Sequence, residues 1–238
     1  MRQSKEIGGS GEYFCLNPSC PSRVPRWVND IDPHVAGLYR YLRDDPNAVQ
    51  SIRTLIEADL QNADDIRKKF YLSRLEYGLG GDPLALVTLN RFAYGQFVKE
   101  QRSNFASFSW HHLRNGVEAL TEKHLIHCRN LLKHTKITNW DFSKVLEKVS
   151  ADAWVFIDPP YFDSGWYNRE ISMDRHRELA TYLKTAPFKF LMTIANDEIF
   201  HELYCQGDFY ILRRQYKYCG ILRTEQRLKT ELIVRNYE

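Results

Sequence analysis

The sequence predicts an α/β protein, a largely parallel sheet with helices on both faces into which a mainly helical module is inserted. Three observations carry this. From Ile137 onward, apolar strand-like runs alternate with helical patterns, the signature of a sheet built with crossover helices. Residues 46–133 show mostly helical spacing instead. Finally, the apolar run Ala153-Trp154-Val155-Phe156-Ile157 delivers Asp158-Pro159-Pro160-Tyr161 at its carboxyl end, where open α/β sheets place their ligands.

The elements follow in order. Gly8-Gly9-Ser10-Gly11 and a turn-rich stretch around Pro18, Pro21 and Pro25 precede Trp27-Val28-Asn29-Asp30-Ile31-Asp32, which reads as a short strand ending in acids. Val35, Leu38, Tyr39 and Leu42 then recur at helical spacing, as do Ile52, Leu55, Ile56 and Leu60, then Leu84 to Leu89, and Leu125 to Leu132. Gly78, Gly80, Gly81 and Pro83 interrupt that helical region. Beyond it come strands at Lys136–Thr138 and Trp154–Ile157, a helix near Met173–Lys184, a strand over Phe188–Ala195, and a closing pair around Phe209–Gln215 and Thr230–Asn236. Residues 1–45 and 134–238 are thus expected to form the sheet domain and 46–133 the inserted module.

Composition bounds the function. At 238 residues and 43% apolar content, the chain can bury roughly 70–75% of its unfolded surface. Its apolar runs are too short to span a bilayer, and Met1-Arg2-Gln3-Ser4-Lys5-Glu6 has no signal-peptide core, so a cytoplasmic, soluble monomer is expected. Cys15, Cys20, Cys128, Cys205 and Cys219 are odd in number and scattered, which favours free thiols, and no second pair stands near Cys15 and Cys20 with zinc spacing. No metal is expected.

Asp158-Pro159-Pro160-Tyr161 suits the methylation of an exocyclic amino group. Such a nitrogen is a poor nucleophile because its lone pair is delocalised into the ring. A catalyst must hold its hydrogens and favour the pyramidal, attacking geometry. Asp158 and the Pro159 carbonyl can accept those two hydrogen bonds, and paired prolines keep the turn's carbonyls out of a helix. Tyr161 offers a face on which a planar base can stack. A rigid strand-ending turn with a packed tyrosine is the bland reading; the apolar strand before it and the polar, Gly-containing loop Asp163–Arg169 after it favour the chemical one. No covalent enzyme intermediate is needed, so no catalytic cysteine is expected.

A net charge of +3 is too small to diagnose a partner, but its distribution is informative. Between Arg91 and Arg114, the basic Arg91, Lys99, Arg102 and Arg114 face one acid, Glu100, and are interleaved with Phe92, Tyr94, Phe97, Phe105, Phe108 and Trp110. From Phe209 to Glu238 the chain is again locally basic. Cations for phosphates among rings for bases are the composition of a nucleic-acid surface. Most of these aromatics individually are better read as core.

In these segments and their order the chain resembles the Dam-type adenine-N6 DNA methyltransferases, which use S-adenosylmethionine. Asp158-Pro159-Pro160-Tyr161 resembles the family's catalytic motif. The resemblance implies a Rossmann-like sheet, with Asp30, in Val28-Asn29-Asp30-Ile31-Asp32, taking the cofactor ribose; two acceptor oxygens suit a diol. Gly9 and Gly11 fit a close-approach role beside the cofactor. Asn139-Trp140-Asp141-Phe142 looks like the Asp-Phe element that faces the cofactor's adenine, which points to Asp141 and Phe142, with Asp158 also bordering the cofactor. Leu89-Asn90-Arg91-Phe92 with Gly95 resembles an Asn-Arg element of the inserted module, so Asn90, Arg91 and Arg102 are expected at duplex DNA. Thr230 to Tyr237 is similar to the closing strand. The departure is at the start, where the family's Pro/Gly/Lys-containing segment and first strand ending Glu-Pro-Phe are not found before Gly8.

The implied activity is methyl transfer from S-adenosylmethionine to N6 of a flipped adenine in double-stranded DNA. Two alternatives accompany it: transfer to another amine, cytosine-N4 or ribosomal guanine-N2, and an amino-terminally shortened, DNA-binding remnant without turnover. His111 and His112 are expected at the surface or facing DNA, His176 as at best a loop-ordering residue at a helix start, and Asn196-Asp197 as a candidate pocket lining.

Overall fold

A computed structural model describes residues 25–58, 83–92, 121–160, 171–205, 209–219 and 226–238, with only the backbone course at 58, 88–92, 216–219 and 226–229. These residues divide into two compact units at the Asn139–Trp140 junction.

In the first unit, β1 (Arg26–Asn29) pairs in parallel with β2 (Thr135–Thr138), Val28 lying opposite Ile137. Asp32 then caps α1 (Pro33–Asp44), its side chain accepting from the His34 amide at 2.8 Å, and Pro33 opens the helix with its φ already set. The helix stops before Pro46: Asp45 is extended, as the residue preceding a proline must tend to be. Three more helices follow, α2 (Ala48–Ala58), α3 (Pro83–Phe92) and α4 (Glu122–Leu132), the last capped by Thr121. Ala36, Leu42, Val49, Ile52, Ile56, Val87, Leu125, Leu132 and Ile137 bury against one another as this unit's core. Each large aliphatic chain so buried contributes about 1.5–3 kcal/mol. The Arg26 guanidinium donates to the Leu131 carbonyl at 3.2 Å and Arg43 to that of Thr135 at 2.9 Å, supplying partners near the end of α4 and the start of β2.

The second unit contains α5 (Phe142–Leu146), β3 (Trp154–Ile157), α6 (Met173–Lys184), β4 (Lys189–Ala195), α7 (Glu198–Tyr204), β5 (Tyr210–Cys219) and β6 (Gln226–Arg235). Its strands lie in the order β3-β4-β6-β5. β3 and β4 are parallel, with Ile157 opposite Met192; β6 is antiparallel to both neighbours, Ile233 standing between Thr193 and Leu212. Alternation along the strands sends Val155, Ile157, Phe190, Met192, Ile194, Leu232 and Val234 to one face. There they pack with Leu179 and Leu183 of α6 and Phe200 and Tyr204 of α7. The Asn236 amide closes this sheet by accepting from the Phe190 amide at 2.9 Å and donating to the Phe188 carbonyl at 2.8 Å.

A largely parallel sheet was the expectation, and here the structure differs: two of the described pairings are parallel and two antiparallel. The six residues between Cys219 and Gln226 are too few for the crossover that parallel neighbours need. Two helices, α5 and α7, were not expected. At five and seven residues they are too short to display a helical period. The burial of His176 is a further finding. The residue lies in the first turn of α6, at the helix start as expected, but is fully buried, and its ring meets Phe200 edge-on at 4.8 Å between centroids.

Candidate active site

Asp158 follows β3 by one residue. Val155 and Ile157 point into the core and Phe156 does not, so strand alternation puts Asp158 on the side away from the helices. Pro159 holds the Asp158 backbone near the extended region, prolonging the strand direction through the acid. The same parity on β4 places Thr193 on that side, between the buried Met192 and Ile194. Its hydroxyl donates to Asp158 Oδ1 at 2.8 Å. Pro159 is buried and Pro160 half-buried.

The turn is seated on an apolar base. Burial drives the His176 imidazole down to about 4, with the Pro160 carbonyl acting weakly in the opposite sense. The ring is therefore neutral at pH 7. Beside it, the buried Tyr204 hydroxyl, itself pushed up by burial, donates to the His176 carbonyl at 3.3 Å. This is a packed support under the Pro-Pro turn, not a proton-transfer pair.

Asp30 belongs to the first unit and ends β1 in a different way. It is 4% exposed, and its Oδ1 accepts from the Asp32 amide at 2.8 Å, a turn closed by the side chain's own neighbour. The Asn139 amide reaches across from beyond β2 and donates to the carbonyls of both Asp30 and Ile31 at 2.8 Å. One residue earlier, Asn29 Oδ1 accepts from Thr138 Oγ1 at 2.7 Å, and that oxygen in turn accepts from the Trp27 indole at 2.6 Å. Burial, and after it the charge of Asp30, push the Tyr39 hydroxyl up to about 12.

Asp141 and Phe142, expected at the cofactor's adenine, lie in the second unit and are engaged locally. Asp141 caps α5, accepting from the Ser143 amide at 3.0 Å and hydroxyl at 2.6 Å, and pairs with the Arg175 guanidinium through both oxygens. Burial raises its pKa, but the Ser143 and Arg175 hydrogen bonds together prevail and hold the carboxyl below its usual range. Arg175 also pairs with Glu178 and lies over the Phe142 ring at 4.3 Å. The other candidate near this end of the sheet, Asn196, is bonded to His201 Nε2 at 2.8 Å, while Asp197 precedes α7 without a side-chain capping bond.

Of the remaining predicted site residues, Asn90 and Arg91 fall in α3, where only the backbone is described, and Gly9, Gly11, Arg102 and Tyr161 lie outside the described residues, as do His111 and His112. Two residues were missed. Thr193 is legible in retrospect, since it holds the same parity on its strand as Asp158 does beyond its own. Arg175 carries no comparable signal, because Asp141 and Phe142, which it meets, stand at the start of a helix too short to recognise. Among the described residues no three His, Cys, Asp or Glu side chains gather as a metal site, and no helix is long and apolar enough to cross a membrane.

Carboxylates at strand ends on mixed α/β sheets are where enzymes of this architecture meet their ligands. Residues 22–219 match the family described as D12 class N6 adenine-specific DNA methyltransferase. The chain belongs to that family, and its reaction is S-adenosylmethionine-dependent methylation of adenine N6 in DNA. No curated protein matches it.

Proposed function

We propose that the turn Asp158-Pro159-Pro160-Tyr161 is where the target adenine is held, in a Rossmann-like methyltransferase domain, residues 1–45 and 134–238, that carries residues 46–133 as an inserted DNA-recognition module. The observation that supports this best is the placing of Asp158: a carboxylate at the carboxyl end of β3, fixed by Thr193 and followed by two residues that cannot donate backbone hydrogen bonds. In this reading the adenine leaves the duplex, at a cost of a few kcal/mol offset by stacking on Tyr161 and by hydrogen bonds to the clamp. Asp158 and the Pro159 carbonyl accept the two amino hydrogens. As the nitrogen attacks it gains positive charge, and Asp158 stabilises that charge, the cationic counterpart of an oxyanion hole. Bound S-adenosylmethionine would supply the sulfonium methyl, its S–C bond breaking as the N–C bond forms so that a neutral thioether leaves, and the methylated nitrogen then loses one proton to solvent.

Asp30 suits the cofactor's ribose. Its carboxylate is already turned and fixed by the Asp32 amide at the end of β1, so an accepting group is presented with little ordering left to do. The roles of Asp141 and Phe142 are narrower than acceptor and open ring face: the acid's oxygens are held by Ser143 and Arg175, and the ring carries the guanidinium. Gly9 and Gly11 complete the cofactor side, and Asn90, Arg91 and Arg102 meet double-stranded DNA, largely at phosphates. Incubating the protein with methyl-labelled cofactor and unmethylated duplex DNA, then digesting to nucleosides, tests the whole reading. Label in N6-methyladenine that disappears with Asp158→Ala supports it; label that persists at the wild-type rate in that variant overturns the assigned clamp.

A further inference from the structure

We infer that Thr193 is the positioning residue of the methyl-transfer reaction: its hydroxyl fixes the plane of the Asp158 carboxylate against which the target amine is aligned. The inference rests on Asp158 being the group that grips the amine. The geometry comes from the sheet itself. Ile157 stands opposite Met192, so the next residues on each strand, Asp158 and Thr193, are neighbours by register, and both lie on the side of the sheet away from α6 and α7. β4 is flanked by β3 and β6, with Thr193 opposite Ile233 on the second side, so the hydroxyl is carried by a strand paired along both edges.

A free aspartate rotates broadly about its terminal torsion, and β-branched threonine does not rotate broadly about χ1. The 2.8 Å hydrogen bond couples the loose group to the stiff one. The carboxylate accepts, and the Thr193 hydroxyl supplies the donor it requires. The effect falls on the chemical step. Misplacement of a reacting or gripping group by about 1 Å costs on the order of a hundredfold in rate, and loss of one orienting bond should cost part of that.

The experiment compares Thr193→Val, of nearly the same shape without the donor, with Thr193→Ser, which keeps the donor on a smaller chain, and with Asp158→Ala. Single-turnover methylation of unmethylated duplex is followed beside calorimetric cofactor binding. Thr193→Val is expected to lose about tenfold in the transfer rate constant and to bind S-adenosylmethionine within about twofold of wild type. Thr193→Ser should restore the rate to within about threefold. An unchanged rate in Thr193→Val, or equal damage in Val and Ser, overturns the inference while Asp158→Ala remains inactive. Activity surviving in Asp158→Ala instead overturns the reading on which it rests. If Thr193→Val does not fold, Thr193→Ala against Thr193→Ser decides by the same criteria.

Discussion

Two strands end in acids, and the two ends are built on opposite plans. After β1, Asp30 is almost wholly buried and bonded to an amide two residues along its own turn, while Asn139 clamps the turn's carbonyls. After β3, Asp158 is half-buried, the next two residues, Pro159 and Pro160, have no amide hydrogen to give, and a hydroxyl on the neighbouring strand donates to the carboxylate. A self-closed turn holds one shape and suits a group that only binds. A carboxylate aimed by a hydroxyl on the neighbouring strand suits a group that must be aligned with a reacting atom.

The largest expected effect tests the second plan. Asp158→Ala should lower methyl transfer by about a hundredfold to a thousandfold, the scale for removing one charge-stabilising group from a preorganised site. DNA affinity measured by gel shift should stay near wild type. A comparable loss of DNA binding would make Asp158 a recognition residue and erase the contrast between the two ends.

The support beneath the Pro-Pro turn gives the next effect. His176 titrates at about 4 when folded and near 6.5 when unfolded, so the unfolded chain takes up the proton first as pH falls. Stability is therefore full above about pH 6.5 and declines through the window down to about 4, by about 3 kcal/mol in all. In His176→Phe that decline should flatten in denaturant titrations run from pH 7 to pH 4. A slope unchanged by the substitution would mean that other groups carry the acid sensitivity.

A smaller effect probes the first plan. Asn139→Ala removes two hydrogen bonds to the carbonyls after β1 and should cost about 1–2 kcal/mol of stability, with cofactor affinity falling several-fold by calorimetry. An intact affinity would show that the Asp32 amide alone suffices to aim Asp30. The smallest change is expected for Arg175→Ala: its ion pair with Asp141 is about half exposed and is worth less than about 1 kcal/mol after screening. Because this pair helps hold Asp141 low, its contribution is present above about pH 4 and vanishes as pH falls below that. The thermal midpoint of Arg175→Ala should converge with wild type in acid and separate only above it.

Much of this was legible in the residues. Trp154–Ile157 and Met173–Lys184 were read at their actual bounds, because a short apolar run before prolines and a long amphipathic pattern after Ser172 have little competition. The antiparallel placing of β6 was not legible, since periodicity reports which face a residue takes and never which strand lies beside it. The burial of His176 was not legible for a related reason: its neighbours Arg175 and Arg177 are charged, and packing against Phe200 is what makes it core. Thr193 shows the gain when both kinds of information combine: parity was in the sequence, but its meeting with Asp158 required the register of β3 on β4.

The slot that β6 occupies between β4 and β5 has a bearing on biosynthesis. Two strands that lie in one sheet, 189–195 and 210–219, have no direct ladder between them until 226–235 is inserted. The ribosome must therefore have extruded the segment through Arg235 before the strand bearing Thr193 is gripped on its second edge, and nascent chains halted earlier would leave that edge open to neighbouring polypeptides.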